Sequence, residues 1–222
     1  VGAHSNINNN GGNIVSWNWK ANGQGSSNTD GSVNTTYTSV NTTAGFSIVK
    51  YAGTGSAQSM GHGLGVTPKV IIVKTLTTGS TAWIVYTTAI DGSLDTLALQ
   101  STAAKSDSGT TPPTSSVFYV PASSANVNTN GRDYIAYCYA EKQGYSKFGT
   151  YVGNSNADGS FVYTGFKPAW ILAKAAFGNQ TPQNQSWVIW DNKRSATGGF
   201  NENSYKLYAN ATDAEATSGI AQ

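Results

Sequence analysis

A single cysteine, Cys138, excludes an internal disulfide framework, so resilience in this chain has to come from β-packing or self-association. Charge is scarce as well: 11% of the 222 residues are Asp, Glu, Lys or Arg, against roughly 25% in ordinary soluble domains. The formal net charge is +2 with no basic block, which excludes the electrostatic footprint of a nucleic-acid binder. Apolar runs such as residues 70–73 are about one strand long, whereas a membrane helix needs about 20 consecutive apolar residues. The opening Val1-Gly2-Ala3-His4 has neither Met nor the apolar core of a signal peptide, and it reads as an interior piece of a longer or processed polypeptide.

What is abundant points to β-structure. Ser, Thr, Asn, Gln and Gly crowd every segment between apolar runs, and Ser and Asn side chains compete with the backbone bonds a helix would need. Asp-Gly-Ser turns at Asp30, Asp91 and Asp158, with Asn-Gly pairs at Asn10, Asn22 and Asn130, punctuate short apolar stretches. Strands are expected at 13–19, 46–51, 69–74, 82–87, 95–100, 116–120, 133–140, 146–152, 160–163, 169–175, 186–191 and 205–208. Residues 21–44, almost free of large apolar groups, read as a polar linker or surface loop, and residues 209–221 have room for a helical turn. The fold class that follows is all-β, an antiparallel β-sandwich.

The chain also repeats itself. Tyr51, Gly65, Pro68 and Lys74 recur as Tyr151, Gly165, Pro168 and Lys174, each 100 residues later, inside strands of like pattern. The strand led by Trp83 recurs at Trp187, a slip to 104 that a longer loop around residues 178–185 explains. A second echo sets Ile14-Val15-Ser16-Trp17-Asn18-Trp19 against Tyr134-Ile135-Ala136-Tyr137-Cys138-Tyr139, 120 residues on. The expected division is residues 1–20 as the closing strand of a preceding unit, 21–44 as linker, 45–143 as a first sandwich unit, and 144–222 as a second unit cut before its last strand.

Chemistry-bearing groups do not converge. His62 lies in a Gly-rich turn, and the other histidine is His4, so the sequence offers no ligand spacing for a metal. The 11 acidic residues are scattered, most of them in turns or at strand starts, and each Asp-Gly-Ser turn brings one carboxylate where Ca²⁺ collects several. Gly-x-Ser-x-Gly is absent. Cys138 sits in an apolar strand and reads as a small buried filler. No catalytic, metal or cofactor residue is assigned, and the chain does not read as an enzyme. Of the aromatic residues, Trp17, Trp83, Trp170, Trp187 and Trp190 lie in apolar strands and read as core. Tyr119, Tyr205 and Tyr208, like Tyr37, have polar neighbours and are the candidates for stacking on a ligand such as a sugar.

Several of these segments carry a resemblance. Gly61-His62-Gly63-Leu64-Gly65-Val66-Thr67-Pro68-Lys69-Val70, Tyr134-Ile135-Ala136-Tyr137-Cys138-Tyr139-Ala140-Glu141, Gly144-Tyr145-Ser146-Lys147-Phe148-Gly149 and Phe161-Val162-Tyr163-Thr164-Gly165-Phe166-Lys167-Pro168-Ala169-Trp170 resemble a β-rich domain family of tail-fibre and other virion proteins of tailed bacteriophages, marine and cyanobacterial phages among them. The likeness spans residues 5–210 and consists of strand and turn patterns that carry no activity. It implies a concanavalin-like or jelly-roll sandwich on a virion surface, self-associating as a homotrimer, contacting other virion proteins and attaching to a host glycan. A virion decoration or head-fibre role without a ligand is the alternative, and a polysaccharide-degrading tailspike stands behind both.

Overall fold

Asp133–Tyr139 (β9) alternates without a break, with Tyr134, Ala136 and Cys138 buried on one face and Ile135, Tyr137 and Tyr139 half-buried on the other. Period two with bulky residues on both faces is the pattern of a strand covered from two sides. β9 pairs antiparallel with Phe46–Ala52 (β2) along one edge and with Val70–Thr75 (β4) along the other. The computed structural model describes residues 4, 7–156, 158–177, 185–194 and 205–217. In it the sheet extends from β2 to Tyr37–Asn41 (β1), and from β4 through Ile84–Thr87 (β5) and Asp95–Ala98 (β6) to Ser106–Asp107 (β7). The result is a seven-stranded antiparallel sheet in the order β1-β2-β9-β4-β5-β6-β7.

Both faces of this sheet are covered. On one side Gln58–Gly61 (β3) and Val117–Val120 (β8) form a two-stranded antiparallel sheet, setting Met60, Phe118 and Val120 against Val49, Tyr51, Ile71, Val73 and Tyr134. On the other side Val85 and Leu97, with Val70 and Ile72, meet Trp187 and Leu172 of a third sheet. That sheet runs Trp170–Ala173 (β10), Val188–Asp191 (β11), Tyr205–Tyr208 (β12) and Ala216–Thr217 (β13) in consecutive order. The strict alternation along β4, Ile71 and Val73 one way and Val70 and Ile72 the other, is what lets one strand serve two cores. The protein is therefore an antiparallel β-sandwich, as its patterning predicts, and it has three layers. Polar ties reinforce the third: the Trp187 indole donates to the Ala98 carbonyl at 3.0 Å, and the Lys105 N–H to the Ala176 carbonyl at 2.8 Å.

The ladders of the third sheet have the same register as part of the first. Val70 pairs with Thr87 and Trp170 with Asp191; Val85 pairs with Leu97 and Ile189 with Leu207; Asp95 pairs with Asp107 and Tyr205 with Thr217. Partners shift together, by 100 from Val70 to Trp170, by 104 from Val85 to Ile189, and by 110 from Leu97 to Leu207 and Asp107 to Thr217. The complete second sandwich unit expected over 144–222 is not formed among the described residues. Segments 13–19, 146–152 and 160–163 carry no strand, because an apolar alternation makes a strand only where a neighbouring edge supplies ladder partners. The loop expected around 178–185 lies, but for Gln185, outside the described residues, as do residues 218–221 of the tail, whose earlier part forms β13 in place of a helical turn.

Residues 21–44 contain an edge strand and are more than a linker. β1 pairs with β2 over its whole length, Ser26 bridges to Thr38, and the buried Thr35 and Thr38 hydroxyls lie 2.8 Å apart. This segment folds over β3 so closely that a Cβ on Gly61 would lie 1.6 Å from the Asn28 side-chain oxygen. It is held by hydroxyl and amide hydrogen bonds, a kind of packing that hydrophobic periodicity does not register.

Candidate functional site

His62 is fully buried, and both ring nitrogens are spent on backbone, one in its own loop and one in the segment before β8. The Leu64 N–H donates to Nδ1 at 3.2 Å, so Nε2 carries the proton and faces the Thr114 carbonyl at 3.1 Å. Burial lowers its pKa from the ordinary histidine value. This is the structural role expected of it. Cys138 is equally enclosed, and burial pushes its thiol up to about 12, so a thiolate is not accessible at neutral pH.

Sequence reasoning missed a cluster of charged groups at the β6–β7 edge. The Lys105 ammonium reaches Asp91 at 2.5 Å, Asp95 at 2.7 Å and Asp107 at 3.4 Å, and lies 5.6 Å from the centre of the Phe177 ring. Hydrogen bonds from Lys105 and then from Ser93 hold the Asp91 carboxyl down at about 2. The Asp91 turn works as turn chemistry predicts, since Ser93 donates its N–H and its hydroxyl back to Asp91 Oδ1 at 3.0 and 2.6 Å, with Gly92 at φ +94°. Among the described residues no group of three His, Cys, Asp or Glu side chains is placed to hold a metal ion, and here the ammonium occupies the space between the carboxylates. The cluster is a clamp in which one ammonium ties three carboxylates together.

The three tyrosines singled out for ligand contact are not brought together. Tyr119 lies on β8 in the small sheet, opposite Ser59, while Tyr205 and Tyr208 lie on β12 in the third sheet. Tyr205 and Tyr208 are three apart on one strand and so project to opposite faces, which rules out a shared stacking platform. The Lys206 ammonium sits 5.5 Å from the Tyr208 ring centre. Tyr119 has the better setting. It lines an open depression of about 220 Å³ with Ser32, Gln58, Ser59, Thr110, Thr111, Ala57 and Val120. Ser32 and Ser59 exchange hydrogen bonds there, each hydroxyl accepting the other's backbone N–H at 2.9 Å. Gln58 turns inward, accepting from the Thr54 hydroxyl at 2.7 Å and donating to the Ala52 carbonyl at 3.0 Å.

A second surface feature lies where strands were expected. Tyr145, Tyr151, Val152, Phe161 and Tyr163 are all exposed, Phe161 to 87%. Its signal was present in the sequence as the likeness of residues 145–153 to residues 46–53, which marked it as sheet-forming without saying what would cover it. So much exposed aromatic surface in one stretch is a mark of an interaction site.

The model of one protein family, described as a domain of unknown function (DUF7483), matches residues 1–222. No curated protein and no solved structure matches the chain.

Proposed function

The chain belongs to the family of the domain of unknown function DUF7483, and from the resemblance of its strand and turn segments to tail-fibre and virion proteins we propose that it is a virion structural protein, a tail-fibre or spike module that attaches a tailed bacteriophage to host glycans. The observation that carries this reading is the open depression beside the two-stranded layer, which Tyr119 lines together with Ser32, Ser59, Thr110 and Thr111. Aromatic rings stack on the C–H faces of sugars while neighbouring hydroxyls bind theirs. The scarcity of charge leaves a surface rich in Asn, Ser and Tyr, which suits contact with a glycan. A glycan array probed with the whole chain tests it. Binding to a defined set of surface polysaccharides, lost in Tyr119→Ala with the fold intact, is expected; a blank array, or binding indifferent to Tyr119, overturns it.

A second reading, a virion building block without a ligand, is favoured by the exposed aromatic stretch 145–163, which fits a protein interface better than a sugar. Homotrimer formation belongs to both readings and is tested by native mass at micromolar concentration. Release of reducing ends from host capsule would instead establish a polysaccharide-degrading tailspike.

A further inference from the structure

The third sheet ends on β10, whose outer edge has no ladder partner among the described residues. Its counterpart in the large sheet, β4, is covered on that edge by β9, in the register Val70 to Tyr139, Ile71 to Cys138 and Ile72 to Tyr137. Because β10 to β13 keep the ladder registers of β4 to β7, the open edge of β10 corresponds to the edge that β9 closes. An uncovered edge exposes a row of unpaired N–H and C=O groups, which is a template for one more strand.

Residues 14–19 have the pattern of β9, 120 residues before it. Carrying the β4–β9 register across by the two offsets sets Trp19 opposite Trp170, Asn18 opposite Ile171 and Trp17 opposite Leu172. The side chains already lie along that line. The Trp19 ring meets Trp170 edge-on at 5.3 Å, and the Trp17 indole donates to Asp191 Oδ2 at 3.2 Å, Asp191 being the ladder partner of Trp170. The Arg194 guanidinium, bound to the same carboxylate at 2.7 Å, lies 5.8 Å from the Trp17 ring centre. Side chains are engaged, and the backbone of 14–19 is not yet in a ladder.

The far side of such a strand also has a claimant. β9 is flanked by β2, where Tyr51 is fully buried, whereas Tyr151, at the matching place of the repeat, is 61% exposed. The stretch 146–152 therefore lacks the neighbour that β2 has.

We propose that residues 14–19 are the strand that closes the third sheet, pairing antiparallel with β10 of the same molecule with Trp19 opposite Trp170, and offering the other edge to residues 146–152. The occupant is this chain's own segment, since its two tryptophans are already seated on β10 and β11.

Paired cysteines test the register in the whole chain. Asn18→Cys with Ile171→Cys is expected to form an intramolecular disulfide on mild oxidation, because facing residues on adjacent strands come within disulfide reach. Ser16→Cys with Ile171→Cys, two residues out of register, is expected to stay reduced. In the unmodified chain the amides of 14–19 are expected to exchange with solvent at least ~10-fold more slowly than in Trp170→Ala, while β9 amides keep their protection in both. Equal cross-linking in the two registers, a disulfide only between molecules, or exchange of 14–19 at the rate of an unfolded peptide would each overturn the assignment. None of these readouts involves a glycan or a virion, so their outcome is separate from that of the attachment reading.

Discussion

Tyr51 and Tyr134 stack 5.3 Å apart and 18° from parallel, as direct partners on β2 and β9, and together form the middle of the core between the large and small sheets. Each hydroxyl is bound inside the protein: Tyr51 donates to the Val127 carbonyl at 2.8 Å, and Tyr134 accepts the Thr129 N–H at 2.8 Å. Burial drives the Tyr51 pKa well above the ordinary tyrosine value, so it stays a neutral donor.

Tyr51→Phe keeps the ring and strands the buried Val127 carbonyl, so it is expected to cost about 1–3 kcal/mol in urea unfolding. Tyr51→Ala, which also opens a cavity, is expected to cost about 3–5 kcal/mol. Tyr151→Phe, at the matching and exposed position, is expected to change stability by less than about 0.5 kcal/mol. Equal losses at the two positions would contradict the burial described.

Lys105→Met removes the partner of Asp95, whose carboxylate is fully buried, and leaves an uncompensated charge beside two other carboxylates. Its unfolding midpoint is expected to fall well below that of Lys147→Met, which breaks an exposed pair with Glu141 at 3.1 Å. Similar midpoints for the two variants would show that the Lys105 cluster is not the clamp inferred.

The His62 pKa is lowered in the folded protein from 6.5, so below that pH the unfolded chain binds the extra proton first. Its contribution is complete above about pH 6.5 and is lost as pH falls through that value toward the folded one. Between about pH 7.5 and about pH 5 the wild type is therefore expected to lose more stability than His62→Gln, measured as urea midpoints. Parallel pH curves would count against a neutral, buried His62.

Cys138 should resist thiol reagents in the native state. Labelling is expected to be at least ~100-fold slower than in denaturant and to track global unfolding, since the thiol is enclosed and its pKa stands at about 12. Rapid native labelling would mean that β9 opens locally at the centre of the sheet.

How much of this was legible in the sequence depends on what held each element. The alternation in residues 133–139 made β9 readable, and the same holds for β4, because a strand between two apolar layers must carry large side chains at period two; β2 and β8 were readable as short apolar runs between turns. The structural reading of His62 and Cys138 was equally available, from the lack of partners around them. β1 and β3 were not readable, being held by Thr35, Thr38, Asn28 and Ser59 through hydrogen bonds that leave no periodic trace.

The sequence by itself determined an antiparallel β-sandwich. Local pattern suffices for that, since side-chain alternation decides which face of a strand is buried. Tertiary structure alone decided which edges meet. β9 was set between β2, whose partners lie 81 to 93 residues away, and β4, whose partners lie 59 to 69 away; Lys105 was gathered to three aspartates, and Tyr119 was separated from Tyr205 and Tyr208. Strand pairing is a long-range choice among several compatible edges, and no periodicity within one segment can name its partner.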